Sequence, residues 1–357
     1  MSMCFLWNNL MKIVHALYSD RKGGLEQAFV NITKMLLSLN YEVELWVPSG
    51  APYTEHLVSQ CTKVDLKSKG YYDVFSAIRN HKALKYCKPD LIITHNSRAT
   101  TMLTRARVRL GIPHVAFSHG YKTRRFNKVD HLVTLTDDMK SHFISAGYYP
   151  ENISVFPNVI ESVPDLKVRS IPVRENSLRL GFLGRLNQEK GLEDLLYALA
   201  LLKDRFQIEL HIAGSGVDQK LIEGLAKKLN ILSHLHFCGW VDDKVEWFSN
   251  MDFAVFPSRY EPFGIVVLEA SSYGCPVIST NVAGPASQIL SGFDGWLAEA
   301  NSPKSLACTI ETAILSIDKW QKIRVEAHKR AKKYLMSNHV NGLKKIVEGC
   351  VNDRAIR

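Results

Sequence analysis

The sequence lacks the features of several protein classes. No apolar run approaches the about 20 residues that a membrane-spanning helix requires. The first ten residues, MSMCFLWNNL, show neither the basic segment nor the small-residue cleavage site of a secretory signal. Cysteine is sparse, with seven widely spaced residues among 357 and no Cys-x-x-Cys pair. We therefore expect a protein of the reducing cytoplasm, without a disulfide framework or a zinc site.

Charge is present in ordinary amount but is unevenly distributed. The chain is 46% hydrophobic and 22% charged, as in globular proteins, and its length favours two domains. Residues 1–151 hold 20 Lys or Arg against 12 Asp or Glu, whereas the remaining 206 hold 25 against 23. The segment 91–129 contains eight basic residues and no acidic one. This segment predicts an anionic partner, which could be phosphate, nucleic acid or an acidic membrane surface.

Short apolar runs alternate with amphipathic helical stretches, which is typical of βαβ units around parallel sheets. KIVHALY begins the first series of strands and LRLGFLG the second. The fold class predicted is therefore α/β, with two Rossmann-like, doubly wound domains facing across a cleft. We expect an N-terminal domain at 1–160, a linker at 161–177 and a C-terminal domain at 178–335. The last segment, 336–357, is predicted to be a helix that packs back toward the N-terminal domain.

In each half of the chain, the loop after the first strand has a composition suited to binding phosphate groups. DRKGG contains Gly23 and Gly24, which let a ligand approach the backbone at a helix start. GRLNQEKG places Arg185 and Lys190 near its two ends, as two cations for a diphosphate. Neither loop carries a dinucleotide fingerprint or a P-loop ending. A tight strand–helix turn and solvated surface charges are the alternative interpretations.

A third loop, PSRYEPFGIVVLE, follows the strand FAVFP. Pro262 and Gly264 predict the first turn of a helix, with the N–H groups of Phe263 and Gly264 directed at the ligand. Glu269 would then lie in an apolar segment, where a carboxylate needs strong hydrogen-bond donors such as sugar hydroxyls. The alternative is that Glu269 pairs with a neighbouring base.

The chain resembles glycosyltransferase family 4, of the retaining GT-B class, from about Met11 to about Leu297. The resemblance rests on two glutamates separated by seven residues, Glu261 and Glu269, with GRLNQEKG, AGSG and GCPVIST around them. The Gly-Gly loop, FSHG and FPNVI are also similar to that family.

The resemblance implies a role for several residues of the C-terminal half. Glu269 would bind the ribose hydroxyls of a nucleotide-sugar, and Glu261 would face the donor sugar. Arg185 and Lys190 would hold the diphosphate and stabilise it as the leaving group. Further residues expected at the nucleotide-sugar site are Gly214, Phe263 and Gly264.

For the N-terminal half, the resemblance implies that the loop of Gly23 and Gly24 closes over the diphosphate. His119 would lie near the donor sugar and the scissile bond, either as a hydrogen-bonding group or as a general base. The family also implies front-face attack, with the leaving phosphate as the base. Because the sequence has no Asp-x-Asp motif, the expected reaction needs no metal and no cofactor beyond the nucleotide-sugar.

The basic residues of 98–128 are the basis of a membrane prediction. A helix from Arg98 to Leu110 would carry Arg98, Arg105 and Arg109 on one stripe, and Tyr121 and Phe126 alternate with the cations that follow. This composition suits anionic lipid headgroups. An acceptor's phosphates or a solvated face are the alternatives.

The function expected from all of this is transfer of a hexose or N-acetylhexosamine from a nucleotide-sugar, with UDP as the expected nucleotide. The acceptor would be a hydroxyl of a lipid-linked glycan, such as lipopolysaccharide core or surface polysaccharide. The enzyme would work in the cytoplasm, at the cytoplasmic face of the inner membrane. Other hypotheses are a soluble relative that makes a small glycoside or disaccharide, and an inactive GT-B binding module. A nucleic-acid partner is not expected, since no nucleic-acid-binding motif accompanies the charge.

Overall fold

The structure, a computed structural model, describes residues 10–57, 59–67, 70, 73–166 and 177–355. The chain divides into two compact units, of which one comprises Met1–Val159 with Met336–Arg357 and the other Ile160–Leu335. Each unit has its own parallel sheet and core. Among the described residues we find no helix with the length and hydropathy of a membrane span. Most of the predicted linker, residues 167–176, lies outside the described residues.

The first unit contains a seven-stranded parallel sheet. Its strands are β1 (Lys12–Leu17), β2 (Glu42–Val47), β3 (Thr62–Asp65), β4 (Leu91–His95), β5 (His114–Phe117), β6 (His131–Thr134) and β7 (Ile153–Val155). In space the order is β3-β2-β1-β4-β5-β6-β7. The order reverses at β1, so the crevice beyond the carboxyl ends of β1 and β4 is the topological switch point, where such sheets bind ligands.

Four helices of this unit connect its strands: α1 (Gly24–Ser38), α2 (Val74–Cys87), α3 (Ser97–Ala106) and α4 (Asp137–Ser145). Helix α1 packs its apolar face into the core, since Phe29, Ile32 and Leu36 are buried. The short edge strand β3 was not predicted, because its sequence, TKVD, is mostly polar and half-exposed.

The prediction for α3 is wrong at its C-terminal end. The helix stops at Ala106 and does not reach Leu110. Arg107 turns its guanidinium onto the carbonyl oxygen of Ile112, at 2.7 Å, and onto Asp130. Arg109 has a left-handed φ of 63°, so it lies outside the helix and does not continue a stripe with Arg98 and Arg105.

The second unit contains a six-stranded parallel sheet. Its strands are β8 (Leu178–Leu183), β9 (Ile208–Ala213), β10 (Leu235–Gly239), β11 (Phe253–Phe256), β12 (Val277–Thr280) and β13 (Trp296–Ala298). The order β10-β9-β8-β11-β12-β13 puts the switch point between β8 and β11. The two predicted doubly wound domains are thus confirmed, and only the three-residue strand β13 was missed here.

The remaining helices are α5 (Leu192–Leu202), α6 (Gln219–Lys228), α7 (Lys244–Ser249), α8 (Ile265–Ser272), α9 (Ala283–Gln288), α10 (Pro303–Leu315), α11 (Trp320–Lys332) and α12 (Met336–Ala355). Most belong to the second unit, where α5 and α10 pack together over the sheet. The last helix, α12, belongs to the first unit. Its Leu343 and Val347 are fully buried in the same core as Phe29 of α1.

Candidate active site

The switch point of the second unit brings two predicted residues together. Lys190 lies on the loop after β8 and Glu261 on the loop after β11, and Lys190 Nζ donates a hydrogen bond to Glu261 Oε2. The two side chains are only 19% and 13% exposed, so this ion pair is largely shielded from water. A cation and a carboxylate thus share the crevice in which a doubly wound sheet binds its ligand.

Close backbone approach holds these two loops against each other. Gly191 has φ +66°, and a Cβ at this position would lie 2.0 Å from the carbonyl oxygen of Pro257. On the same loops, the backbone N–H of Arg259 donates to the carbonyl oxygen of Glu189 at 2.8 Å. No side chain larger than hydrogen fits at Gly191, because it would push the loop of Glu261 away.

Arg259 is a residue of this site that sequence reasoning missed. Its guanidinium donates to Asp194 and to Glu193 of α5, each at 2.9 Å. The hydrogen bond to Asp194 is the main reason why the pKa of the Arg259 guanidinium is raised above its usual value. These hydrogen bonds of Arg259 fix the loop after β11 to the start of α5. From the sequence alone, Arg259 and the acidic first turn of α5 could be matched as partners only if the order of the strands in the sheet were already known.

Arg185 and Gly214 lie on neighbouring loops of the same edge. Gly214 has φ +117°, and a Cβ there would lie 2.0 Å from the carbonyl oxygen of Gly184. The N–H of Gly184 donates back to the carbonyl oxygen of Ala213 at 3.0 Å. Arg185 is exposed on this tightly held loop. The predicted phosphate loop therefore has a rigid backbone and offers one exposed cation.

The structure corrects the start of α8. The helix begins at Ile265, and Gly264, with φ +81°, is its N-cap and not part of its first turn as predicted. Phe263 is only 2% exposed, and its carbonyl oxygen accepts a hydrogen bond from Gln288. The N–H of Gly284 donates to the carbonyl oxygen of Glu261 at 3.0 Å. The segment from Glu261 to Gly264 is thus fixed from its carbonyl side.

Glu269 is buried in α8, as the apolar sequence around it predicted, but it is paired. Lys244 Nζ of α7 donates to Glu269 Oε1 at 2.7 Å, and the Glu269 side chain is 11% exposed. The pairing with a neighbouring base is therefore what the structure shows. Burial, with the nearby charges of Glu269 and Asp243, raises the pKa of Tyr273 to about 12. Lys244 was not predicted, since its six-residue helix has no distinctive sequence.

In the first unit, Gly23 is the N-cap of α1 and Gly24 its first residue. The buried carboxylate of Glu26 lies in the first turn of this helix and accepts a hydrogen bond from the Ser19 hydroxyl at 2.5 Å. A carboxylate at a helix N-terminus occupies the favourable end of the dipole. This glutamate, which the sequence prediction did not consider, competes with any anion that the Gly-Gly loop would receive.

His119 follows β5 and belongs to a group of histidines near the switch point of the first unit. Its Nε2 lies 2.8 Å from Nδ1 of His95, the last residue of β4. The His95 ring in turn lies 4.9 Å from the ring of His15 on β1, measured between centroids. Burial lowers the pKa of His119 to about 4 and that of His15 to about 3. These rings are therefore neutral at physiological pH.

The basic segment 98–128 is only partly available to a partner. Phe126 is 3% exposed and packs in the core, so the prediction that it alternates with the cations on the surface is wrong. The guanidinium of Arg98 stacks over the ring of Tyr18, 3.9 Å from its centroid. Five basic residues of the segment are exposed at the surface: Arg105, Arg109, Lys122, Arg124 and Lys128.

One group in the described part of the chain could hold a metal ion. Glu209 and His211 of β9 and His236 of β10 have ligand atoms within 4.8 Å of one another. His211 and His236 are register partners in the sheet. The group lies along β9 and β10, away from the carboxyl-edge loops that carry Lys190 and Glu261.

Two family models match this chain. The model described as Glycosyltransferase Family 4 matches residues 22–162, and that described as Glycosyl transferases group 1 matches residues 165–334. The first match covers most of the first unit and the second covers the second unit almost entirely. The chain belongs to glycosyltransferase family 4.

Individual relatives agree with this class. The chain is 34% identical over 148 residues to the uncharacterized glycosyltransferase MJ1607 of Methanocaldococcus jannaschii; the match spans 41% of this chain but only 38% of that relative. It is 23% identical over 310 residues to the lipopolysaccharide core biosynthesis glycosyltransferase LpsE of Rhizobium meliloti, covering 85% and 89%. The crystal structure of Anabaena Alr3699/HepE in complex with UDP and glucose superimposes with a TM-score of 0.83 at 18% identity, covering 95% and 100%. The fold is GT-B.

Replacement of Gly191 by alanine tests the backbone constraint at the switch point. We expect Gly191→Ala to lower the free energy of unfolding by about 2 kcal/mol or more, because it adds strain at positive φ to a clash with Pro257. Gly224→Ala is the matched control, since a Cβ there meets nothing within 4 Å and lies in helix α6; it should raise stability by about 0.5–1 kcal/mol. Urea denaturation measures both, and equal effects would contradict the constraint.

The neutral histidines predict acid sensitivity. Since the folded state holds His119 and His15 uncharged, the unfolded chain binds more protons below pH 6.5. The free energy of unfolding should therefore fall as the pH drops from 6.5 toward 4, by up to about 1.4 kcal/mol per pH unit for each such histidine. His15→Phe keeps the stack on Phe29 and should make this dependence shallower. Urea denaturation series at several pH values test this, and a slope unchanged in His15→Phe would speak against it.

Proposed function

We propose that this protein is a retaining α-glycosyltransferase that moves a hexose or N-acetylhexosamine from a UDP-sugar to a hydroxyl of a lipid-linked glycan, without a metal. The observation that carries the proposal is the arrangement at the β8–β11 switch point. There, Lys190 and Glu261 form a shielded pair on loops that Gly191 holds in backbone contact. Such a crevice, with Arg185 exposed beside it, suits a diphosphate attached to a sugar.

The choice of nucleotide and acceptor is supported by the relatives. HepE was crystallised with UDP and glucose, and LpsE is named for lipopolysaccharide core biosynthesis. We therefore propose a UDP-linked donor and an acceptor of the lipopolysaccharide or surface-polysaccharide type. The place of work that follows is the cytoplasm, at the inner face of the membrane where lipid-linked glycans are extended.

The proposed chemistry is electrostatic. The bond between the sugar C1 and the diphosphate oxygen breaks, and its electron pair stays on the diphosphate. Arg185 and Lys190 stabilise that charge as it develops, and such electrostatic stabilisation is the largest single contribution in many enzymes. The acceptor oxygen forms its bond to C1 on the same face, and its proton passes to the departing phosphate oxygen. Glu261 orients the Lys190 ammonium, and His119 hydrogen-bonds the donor sugar.

For the membrane part of the proposal, the structure adds a surface that the sequence did not indicate. Helix α2 exposes Val74, Phe75 and Ile78, with Phe75 87% exposed. Exposed cations lie on the same helix: Arg79, Lys82 and Lys85. The helix packs against α3, where Nδ1 of His81 lies 2.8 Å from the carbonyl oxygen of Ala106. Apolar side chains beside cations are the composition of a surface that rests on anionic lipid.

Lys190→Gln tests the nucleotide site. We expect it to weaken UDP binding about 10- to 100-fold, because a charged hydrogen-bond donor to the diphosphate is worth about 1.5–3 kcal/mol. Arg205→Gln is the control, since Arg205 lies at the opposite, amino edge of the same sheet and pairs with Glu311. Calorimetric titration with UDP, ADP and GDP, with and without EDTA, measures this. Binding that is unchanged in Lys190→Gln, or lost with EDTA, would contradict the proposal.

Phe75→Asp tests the membrane surface. Replacement of an exposed apolar side chain by an acid should release the protein from anionic liposomes, by about tenfold or more in the partition coefficient. Leu201→Asp is the matched control, because Leu201 is 56% exposed on α5 of the other unit. Flotation with phosphatidylglycerol vesicles at physiological salt reports both. If the unmodified protein does not float, the membrane proposal is wrong, and this result favours a soluble acceptor.

A further inference from the structure

A row of three histidine rings crosses the switch point of the first unit. His15 lies on β1 and His95 ends β4, the two strands that border the crevice, and His119 follows β5. His95 is stacked on Phe117, with centroids 4.7 Å apart and planes at 5°. His15 is stacked on Phe29 at 4.1 Å. Aromatic neighbours thus orient the rings of His15 and His95.

The far end of this row has a defined proton position. The Thr33 hydroxyl donates to the carbonyl oxygen of Phe29 at 2.9 Å, in the preceding turn of α1. Its oxygen can then only accept from the His15 ring, whose Nδ1 lies 2.9 Å away. His15 therefore carries its proton on Nδ1. Its Nε2 is a bare lone pair, buried and without a hydrogen-bond partner among the described residues.

The bond between His95 and His119 permits two arrangements. Both rings are neutral, because burial lowers both pKa values. Either His95 Nδ1–H donates to His119 Nε2, or His119 Nε2–H donates to His95 Nδ1. The first arrangement leaves His95 Nε2 as a second bare lone pair, buried on a ring whose centroid lies 4.9 Å from that of His15. The second puts an N–H there instead, which suits the negative potential of the His15 lone pair better.

We propose that His95 is a positioning residue for glycosyl transfer, which accepts a hydrogen bond from Nε2–H of His119 and so keeps the His119 Nδ1 lone pair available to a substrate hydroxyl. Since Nε2 of His119 is taken by His95, Nδ1 is the ring nitrogen that remains. The hydroxyl belongs to the donor sugar or the acceptor, so this inference rests on the proposed function. The order of protons along the row, from Thr33 to His119, then presents an acceptor and not a donor to the substrate.

Two variants of His95 separate a positioning role from a merely structural one. His95→Asn places an amide oxygen close to where Nδ1 was, so it still accepts from His119. His95→Phe keeps the ring stack on Phe117 but removes the acceptor. We expect kcat for sugar transfer, or for slow hydrolysis of the UDP-sugar, to fall about tenfold in His95→Phe and less than threefold in His95→Asn, since loss of a hydrogen bond that contributes about 1.4 kcal/mol lowers a rate tenfold. KM for the UDP-sugar should hardly change.

The second measurement does not require activity. Long-range ¹H–¹⁵N spectra of the ¹⁵N-histidine-labelled full chain report which ring nitrogen carries a proton. We expect His119 to be protonated on Nε2 and His15 on Nδ1 in the unmodified protein, and His119 to become a mixture of tautomers in His95→Phe. The matched control is His234→Asn of the other unit, whose ring Nδ1 lies 3.1 Å from the carbonyl oxygen of Ile208; it should change neither the His119 signals nor kcat.

The outcomes separate this inference from the proposed function. A proton on Nδ1 of His119 in the unmodified protein would overturn the inference, as would a His95→Phe variant with unaltered tautomer and kcat. Should His95→Phe fail to fold, the spectra of the unmodified protein and the kcat of His95→Asn still decide. If no UDP-sugar is turned over while the spectra show the expected tautomers, the proposed function fails and the proton order stands.

Discussion

The candidate site depends on the direct approach of one backbone segment to another at the β8–β11 switch point. Gly191 lies so close to the carbonyl oxygen of Pro257 that a Cβ at this position would be 2.0 Å from that oxygen. Around this contact, Arg259 joins the loop after β11 to α5. Gly214, after β9, lies against the loop after β8. The Lys190–Glu261 pair is a consequence, because each residue comes from one of the two loops. A site built this way is preorganised, and binding costs little loop ordering.

The two units use polar residues differently. The second unit places ion pairs around the crevice, and the Lys190–Glu261 pair among them is largely shielded from water. The first unit buries uncharged imidazoles between aromatic rings, where protonation would be costly. The former arrangement suits a diphosphate, and the latter suits neutral hydroxyl groups.

Much of the architecture could be predicted from the sequence. The alternation of apolar runs with amphipathic stretches predicted both series of parallel strands, because buried parallel strands need continuous apolar runs. The missed strands, TKVD and WLA, are too short or too polar to show such a run. Of the site, glycine-containing loops after strands were detectable, since glycine in such a place indicates a constrained backbone. The charged residues Arg259, Lys244 and Glu26 could not be predicted, because no local sequence pattern distinguishes a paired charge from a solvated one.

By itself, the sequence determined the doubly wound fold, the presence of two series of β-strands, and which loops follow β8 and β11. These follow from periodicity and from glycine positions, which are local properties. Only the tertiary structure decided that Glu269 is paired with Lys244, that Phe126 is buried, and that His95 meets His119. Such contacts join residues that are 24 or more positions apart or come from separate elements. Their energies depend on distance and burial in three dimensions, which no local pattern records.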